Sequence, residues 1–148
     1  MPELGVIQTC EELDVAFVPF SPLGRGVFAQ KAPVPANFAN DDFRKNNPRF
    51  LEPNFSYNAK AIEPFKELAH TMGVTTPALA LAWVLAQGEH LIPIPGTRSP
   101  TNLADDISAL DIDLTSGDLA AIDKILPCLL YTSPSPRDLS TSRMPSSA

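Results

Sequence analysis

Two apolar segments constrain this chain more than anything else in it, because each runs through proline into a loop of glycine, hydroxyl and arginine. The first is Val15-Ala16-Phe17-Val18-Pro19-Phe20, followed by Ser21-Pro22-Leu23-Gly24-Arg25-Gly26. Apolar residues that succeed one another without a polar alternate predict a buried strand. Gly24 and Gly26 let the backbone take positive φ and come close to a ligand. Ser21 offers a hydroxyl and Arg25 a planar cationic fork. Taken alone, the loop fits either a phosphate site or a tight turn with one surface arginine, since short glycine motifs are weakly specific.

The second segment repeats the plan: Leu91-Ile92-Pro93-Ile94-Pro95 runs into Gly96-Thr97-Arg98-Ser99-Pro100-Thr101-Asn102. Two strands that each end in such a loop suit a phosphorylated cofactor held between neighbouring loops. In (β/α)8 barrels the phosphate site commonly lies after strands 7 and 8. Pro19, Pro93 and Pro95 each remove a ladder donor, so both strands should be short, with pairing that fails toward their C-terminal ends.

These stretches, with Asp41-Asp42-Phe43-Arg44, Asn47-Pro48-Arg49-Phe50 and Pro77-Ala78-Leu79-Ala80-Leu81-Ala82-Trp83-Val84-Leu85, are in the order and spacing of one family. Over roughly residues 2–127 the chain resembles the aldo-keto reductases, in their bacterial, fungal and plant branch. The resemblance implies an α/β fold, the C-terminal portion of a (β/α)8 TIM barrel holding strands 7 and 8 with their flanking helices. It implies NADP(H) as cofactor and hydride transfer to a small aldehyde or ketone. By the same resemblance Phe20 stacks under the nicotinamide, and Ser21, Leu23, Gly24 and Arg25 cover the pyrophosphate. Gly96, Thr97 and Arg98 surround the adenosine 2'-phosphate, with Arg98 selecting NADP over NAD. Asn102, Asp105 and Asp106 fall where the family meets phosphate and adenine, although the usual pattern has Glu-Asn at the last two positions. The family's catalytic Asp, Tyr, Lys and His lie in its first half. Neither Tyr57 nor Tyr131 occupies such a position, so no catalytic residue is assigned and the chain by itself is expected to be inactive.

A complete barrel needs about 250 residues, and this chain has 148 with two barrel-type strands, so the expectation is an incomplete barrel. No run of about 18 apolar residues predicts a membrane span. The opening Met-Pro-Glu-Leu has neither a basic nor an apolar leader region, which leaves a cytoplasmic location as the expectation. Cys10 and Cys128 form no disulfide or metal pattern, and a net charge of -6 argues against nucleic acid or an anionic membrane as partner.

Helical periodicity predicts the remainder. Residues 3–13 carry Leu4, Ile7, Cys10 and Leu13 on one face. Ile62, Phe65, Leu68, Ala69 and Met72 form a stripe that ends at Gly73; Pro64 either opens that helix or kinks a longer one beginning near Phe55. Thr76 caps the next helix, Pro77 suits its first turn and Gly88 closes it, with Leu79, Ala80, Trp83 and Val84 inward. His70 and His90 have no catalytic or metal-ligating companions. Residues 100–110 form a short helix with Leu103, Ile107 and Leu110 inward, its N-terminus aimed at the Thr97-Arg98-Ser99 loop. Thr115 caps a last helix, 116–126, with Leu119 and Ile122 inward.

The long connection 27–57 is either a flap over the cofactor, with Arg44 or Arg49 near its phosphates, or a solvated loop with local Asp–Arg pairs. Residues 1–127 are expected to form the reductase domain. In residues 128–148, 11 of 21 are Ser, Thr or Pro, a composition that cannot bury a core. That tail also resembles translated sequencing-adapter read-through and is given no function. Besides an enzyme, a non-catalytic nucleotide-sensing regulatory subunit on the same barrel, or an unrelated helical interaction module, would fit a chain of this kind.

Overall fold

The structure, a computed structural model, describes residues 5–126. Five helices dominate: α1 Val6–Glu12, α2 Asn54–Thr71, α3 Thr76–Leu85, α4 Pro100–Ser108 and α5 Ser116–Ile125. The expectation for the tail and for Leu4 lies outside the described residues.

Local chemistry sets the helix ends. Gly73, at φ 72°, ends α2 with two reverse bonds, Gly73 N–H to His70 O and Val74 N–H to Ala69 O, both at 3.0 Å. These satisfy carbonyls that the last turn would otherwise leave open. Pro64 sits inside α2, so the longer of the two helices anticipated there is the one that forms. Thr75, not Thr76, caps α3: its hydroxyl accepts from Ala78 N–H at 3.3 Å, and Pro77 becomes the second helical residue. α3 ends at Leu85, ahead of Gly88. Thr115 and Asp118 form a reciprocal capping box on α5.

The core is helical. Phe65 and Ala69 of α2, Leu79 and Ala80 of α3 and Ile122 of α5 form one buried cluster, with Trp83 packed against it. Burial of side chains such as Phe65 or Leu79 contributes about 1.5–3 kcal/mol each. A second cluster joins Val27, Phe38 and Phe50 to Ile62. The long connection is therefore folded onto α2 through short 3-10 turns at Pro35–Asn37, Phe43–Asn46 and Pro48–Phe50.

Neither apolar segment forms a regular strand among the described residues. They meet at two isolated parallel bridges, Phe17 with Leu91 and Phe20 with Ile94. Phe17 N–H donates to His90 O at 2.8 Å, and Ile92 N–H donates back to Phe17 O at 2.9 Å. The next donor in a parallel pattern would be position 19, a proline without an N–H, so the pairing is interrupted between the two bridges. His90 also meets the carbonyl of Ile7 through Nε2 at 3.0 Å, which ties α1 to this pair.

Several faces expected inside are open. Val15 and Val18 are exposed and Phe20 is 75% exposed, so the first segment is not a buried strand here. On α1 only Ile7 is buried, and Leu13 is exposed. The stripe Leu103, Ile107 and Leu110 faces out, and α4 instead turns Asp106 inward. An apolar run is buried only where something packs on it, and these faces meet no further element among the described residues.

Candidate functional site

The apolar segments end side by side, and one open cavity of about 820 Å³ lies across both of their loops. Phe20, Ser21, Leu23 and Arg25 line it from the first loop. Gly96, Thr97, Asn102, Asp105 and Asp106 line it from the second loop and α4. Of the residues singled out in the sequence, Gly24 and Arg98 are not among the lining. Gly24 is buried behind the first loop, and Arg98 is exposed beside Thr97.

The first loop is held in an uncommon conformation. Ser21 (φ 52°) and Arg25 (φ 61°) both lie in the left-handed region without being glycine. Such residues are costly unless their surroundings hold them, and they cluster at ligand sites. Gly24 is also left-handed, at φ 58°, and a Cβ there would meet Arg49 Nη1 at 3.2 Å. Arg49 donates through that atom to Gly24 O at 3.4 Å. Burial, and then the nearby charge of Arg25, lower its pKa. Arg49 thus braces the loop from behind, while Arg44 lines the cavity itself.

The second loop is built around helix capping. Ser99 N–H donates to Thr97 Oγ1 at 3.1 Å, and Ser99 Oγ accepts from Asn102 N–H at 3.4 Å. Thr97 and the start of α4 therefore share one rigid corner at the cavity wall. Arg25, Arg44 and Lys31 bring positive charge to the connection side, whereas Asp105 and Asp106 oppose them from α4. Burial, with a smaller effect from Asp105, raises the Asp106 carboxyl above its ordinary value. The cavity is polarised, with an anion-favouring wall and a wall that accepts hydrogen bonds.

Sequence reasoning missed Lys31, Gln30 and Thr101, which also line the cavity. The first two lie in an irregular connection, where spacing carries no periodic signal. Gln30 has a structural task as well, since its Oε1 accepts from Thr76 N–H at 3.3 Å and fastens the connection to α3. Among the described residues no group of three or more His, Cys, Asp or Glu could hold a metal, and no single helix is long and apolar enough to cross a membrane.

The family model described as Aldo/keto reductase family matches residues 1–127. The chain belongs to the aldo/keto reductase family. It is 39% identical over 127 residues to an aldo-keto reductase of Gibberella moniliformis, covering 84% of this chain and 38% of that protein. It is 35% identical over 121 residues to the aldo-keto reductase yakc [NADP(+)] of Schizosaccharomyces pombe, covering 82% and 36%. Among solved structures, the glycerol dehydrogenase of Gluconobacter oxydans superposes with a TM-score of 0.76 at 29% identity, over 90% of this chain and 41% of the other. A thermostable aldo-keto reductase in complex with the inhibitor epalrestat gives 0.56 at 21% identity, over 84% and 35%, a likeness of fold alone. The chain thus spans well under half the length of these relatives, and its fold is that of part of an aldo-keto reductase.

Proposed function

We propose that this chain is the NADP(H)-binding C-terminal part of an aldo-keto reductase that reduces aldehydes and ketones by hydride transfer, with the two apolar segments in the places of barrel strands 7 and 8. The cavity carries this reading, because both glycine- and arginine-bearing loops border one space. At about 820 Å³ it falls within the roughly 300–1,000 Å³ typical of small-molecule and cofactor pockets. Its residues suit a dinucleotide. Arg25 offers charged donors to a pyrophosphate, the Thr97 hydroxyl and the start of α4 suit a phosphate, and exposed Phe20 presents a ring to a planar group. Arg98 takes the 2'-phosphate, and Asp106 accepts from the adenine amino group. The name of the Schizosaccharomyces pombe relative, which includes NADP(+), supports the same cofactor.

Bound nicotinamide would supply the hydride, and this chain's own share is to bind and orient the cofactor. The proton donor that such a reduction requires is assigned to the remainder of a full-length protein. The test compares the chain alone with a chimera that joins it to the N-terminal portion of the Gibberella moniliformis relative. The chain alone should bind NADPH without oxidising it in the presence of an aldehyde, and the chimera should oxidise it. A chimera that folds and binds NADPH without turnover would favour a nucleotide-sensing subunit instead.

A further inference from the structure

A second cavity, of about 220 Å³, lies behind the first glycine-bearing loop, between α2, α3 and α5. Its apolar lining includes Phe28 and Phe65, whose rings meet edge to face with centroids 5.4 Å apart, and Ala80, Val84 and Ile122. Two of the lining side chains are polar, Trp83 and Asp123. Trp83 Nε1 is buried, and among the described residues it has no hydrogen-bond partner. A buried donor left without an acceptor is destabilising, and most are paired. Trp83 thus has room for an acceptor brought from outside. Asp123, exposed on α5, can only accept when ionised. One donor and one acceptor in an apolar cleft match a hydroxyl, whose oxygen accepts while its proton is donated. A carboxylate ligand would meet Asp123 charge to charge, and an ammonium has no lone pair for the indole N–H. Apolar cavities of about 150 Å³ take up benzene, so this one has room for a single substituted ring.

We propose that this cavity binds a small neutral alcohol or phenol, its hydroxyl accepting from Trp83 Nε1 and donating to Asp123, its apolar body resting on Phe28, Phe65 and Ile122. Pro22 is the one residue that lines both this cavity and the larger one across the two loops. A ligand here therefore packs on the back of the first loop. That loop carries Ser21 and Arg25 in left-handed backbone, a conformation that its surroundings must hold. Occupancy adds a contact that holds it, so the ligand stiffens the loop. The site stands whether or not the larger cavity takes a dinucleotide.

The test titrates the whole chain, at a dilution where it is monomeric, with methylcyclohexanol bearing its hydroxyl on the tertiary carbon. A tertiary alcohol has no carbinol hydrogen to give up as hydride, and this one is transparent where tryptophan absorbs. Trp83 is the chain's single tryptophan, so its emission should change as the site fills. Ligand-observed NMR follows the same titration in the variants. Trp83→Phe keeps an aromatic ring and removes the donor. Loss of one neutral hydrogen bond corresponds to about a two- to tenfold loss of affinity, and Trp83→Phe should weaken the alcohol to that extent while leaving methylcyclohexane unchanged. Val84→Phe, which fills the cavity from α3, should abolish binding of both. Hydrogen exchange reads the loop. The Gly24 and Gly26 amides, which donate to Ser21 O at 2.9 Å and Leu23 O at 3.0 Å, should exchange more slowly in the chain saturated with alcohol. A wild-type chain whose emission the alcohol leaves unchanged would overturn the proposal. Equal binding of alcohol and hydrocarbon, or alcohol binding that survives Val84→Phe, would overturn it as well, since an apolar surface would then suffice. Unchanged exchange at Gly24 and Gly26 under saturation would overturn the effect on the loop.

Discussion

The guanidinium of Arg25 lies over the ring of Phe43, 5.2 Å from its centroid, and joins the glycine-bearing loop to the long connection. Phe43 is largely exposed, and a cation–π contact at such a site is worth about 0.5–1 kcal/mol. Phe43→Ala should therefore weaken cofactor binding about two- to fivefold. The loss should be equal for NADPH and NADH, since the pyrophosphate is common to both. Parallel titrations check this, and a loss confined to NADPH would place Arg25 at the 2'-phosphate instead.

The open apolar faces predict poor behaviour of the isolated chain. Val15, Val18 and Phe20 on one segment, Ile92 and Ile94 on the other, and Leu103, Ile107 and Leu110 on α4 are all exposed. Patches of this kind, next to segments with unpaired backbone groups, drive association. The chain should bind a hydrophobic dye and self-associate as its concentration rises, and Ile107→Lys with Leu110→Lys should reduce both. A sharp cooperative melt from a monomer that binds no dye would contradict this.

Asp106 predicts a pH dependence. Burial, and then Asp105, raise its carboxyl above the ordinary 3.8, so the folded chain holds that proton more tightly than the unfolded chain does. The resulting stability is fully present below pH 3.8 and is lost as pH rises through the raised value. Asp106→Asn should therefore raise the midpoint of helix melting at neutral pH and converge on the wild type in acid. Circular-dichroism melts across that range test the sign. A variant less stable than wild type at neutral pH would show that the ionised carboxylate has a favourable partner.

What the sequence revealed was mostly punctuation. Gly73 and Thr115 act through bonds to neighbours within a few residues, so their roles were visible without the fold. The tandem threonines Thr75 and Thr76 were separable only by one position, because either hydroxyl could cap α3. The two glycine-bearing loops were legible as a pair, and the cavity lies across both. Burial was harder to read. Phe20 and Ile107 are exposed, so an apolar pattern identified a face without showing that it is covered. Arg44 and Arg49 lie in one irregular stretch with no period, and only the folding of Phe38 and Phe50 onto Ile62 decides which faces the cavity. Strand character was limited by Pro19, whose missing N–H was visible from the start and is where the parallel ladder breaks.

The most direct measurement is a titration of wild type, Arg25→Ala and Arg98→Ala with NADPH and with NADH. Each charged hydrogen bond contributes about 1.5–3 kcal/mol, or roughly ten- to hundredfold in affinity. Arg25→Ala should weaken both cofactors by that factor, and Arg98→Ala should weaken NADPH while leaving NADH nearly unchanged. Binding of both cofactors that neither substitution affects would contradict the assignment of this cavity to the dinucleotide phosphates.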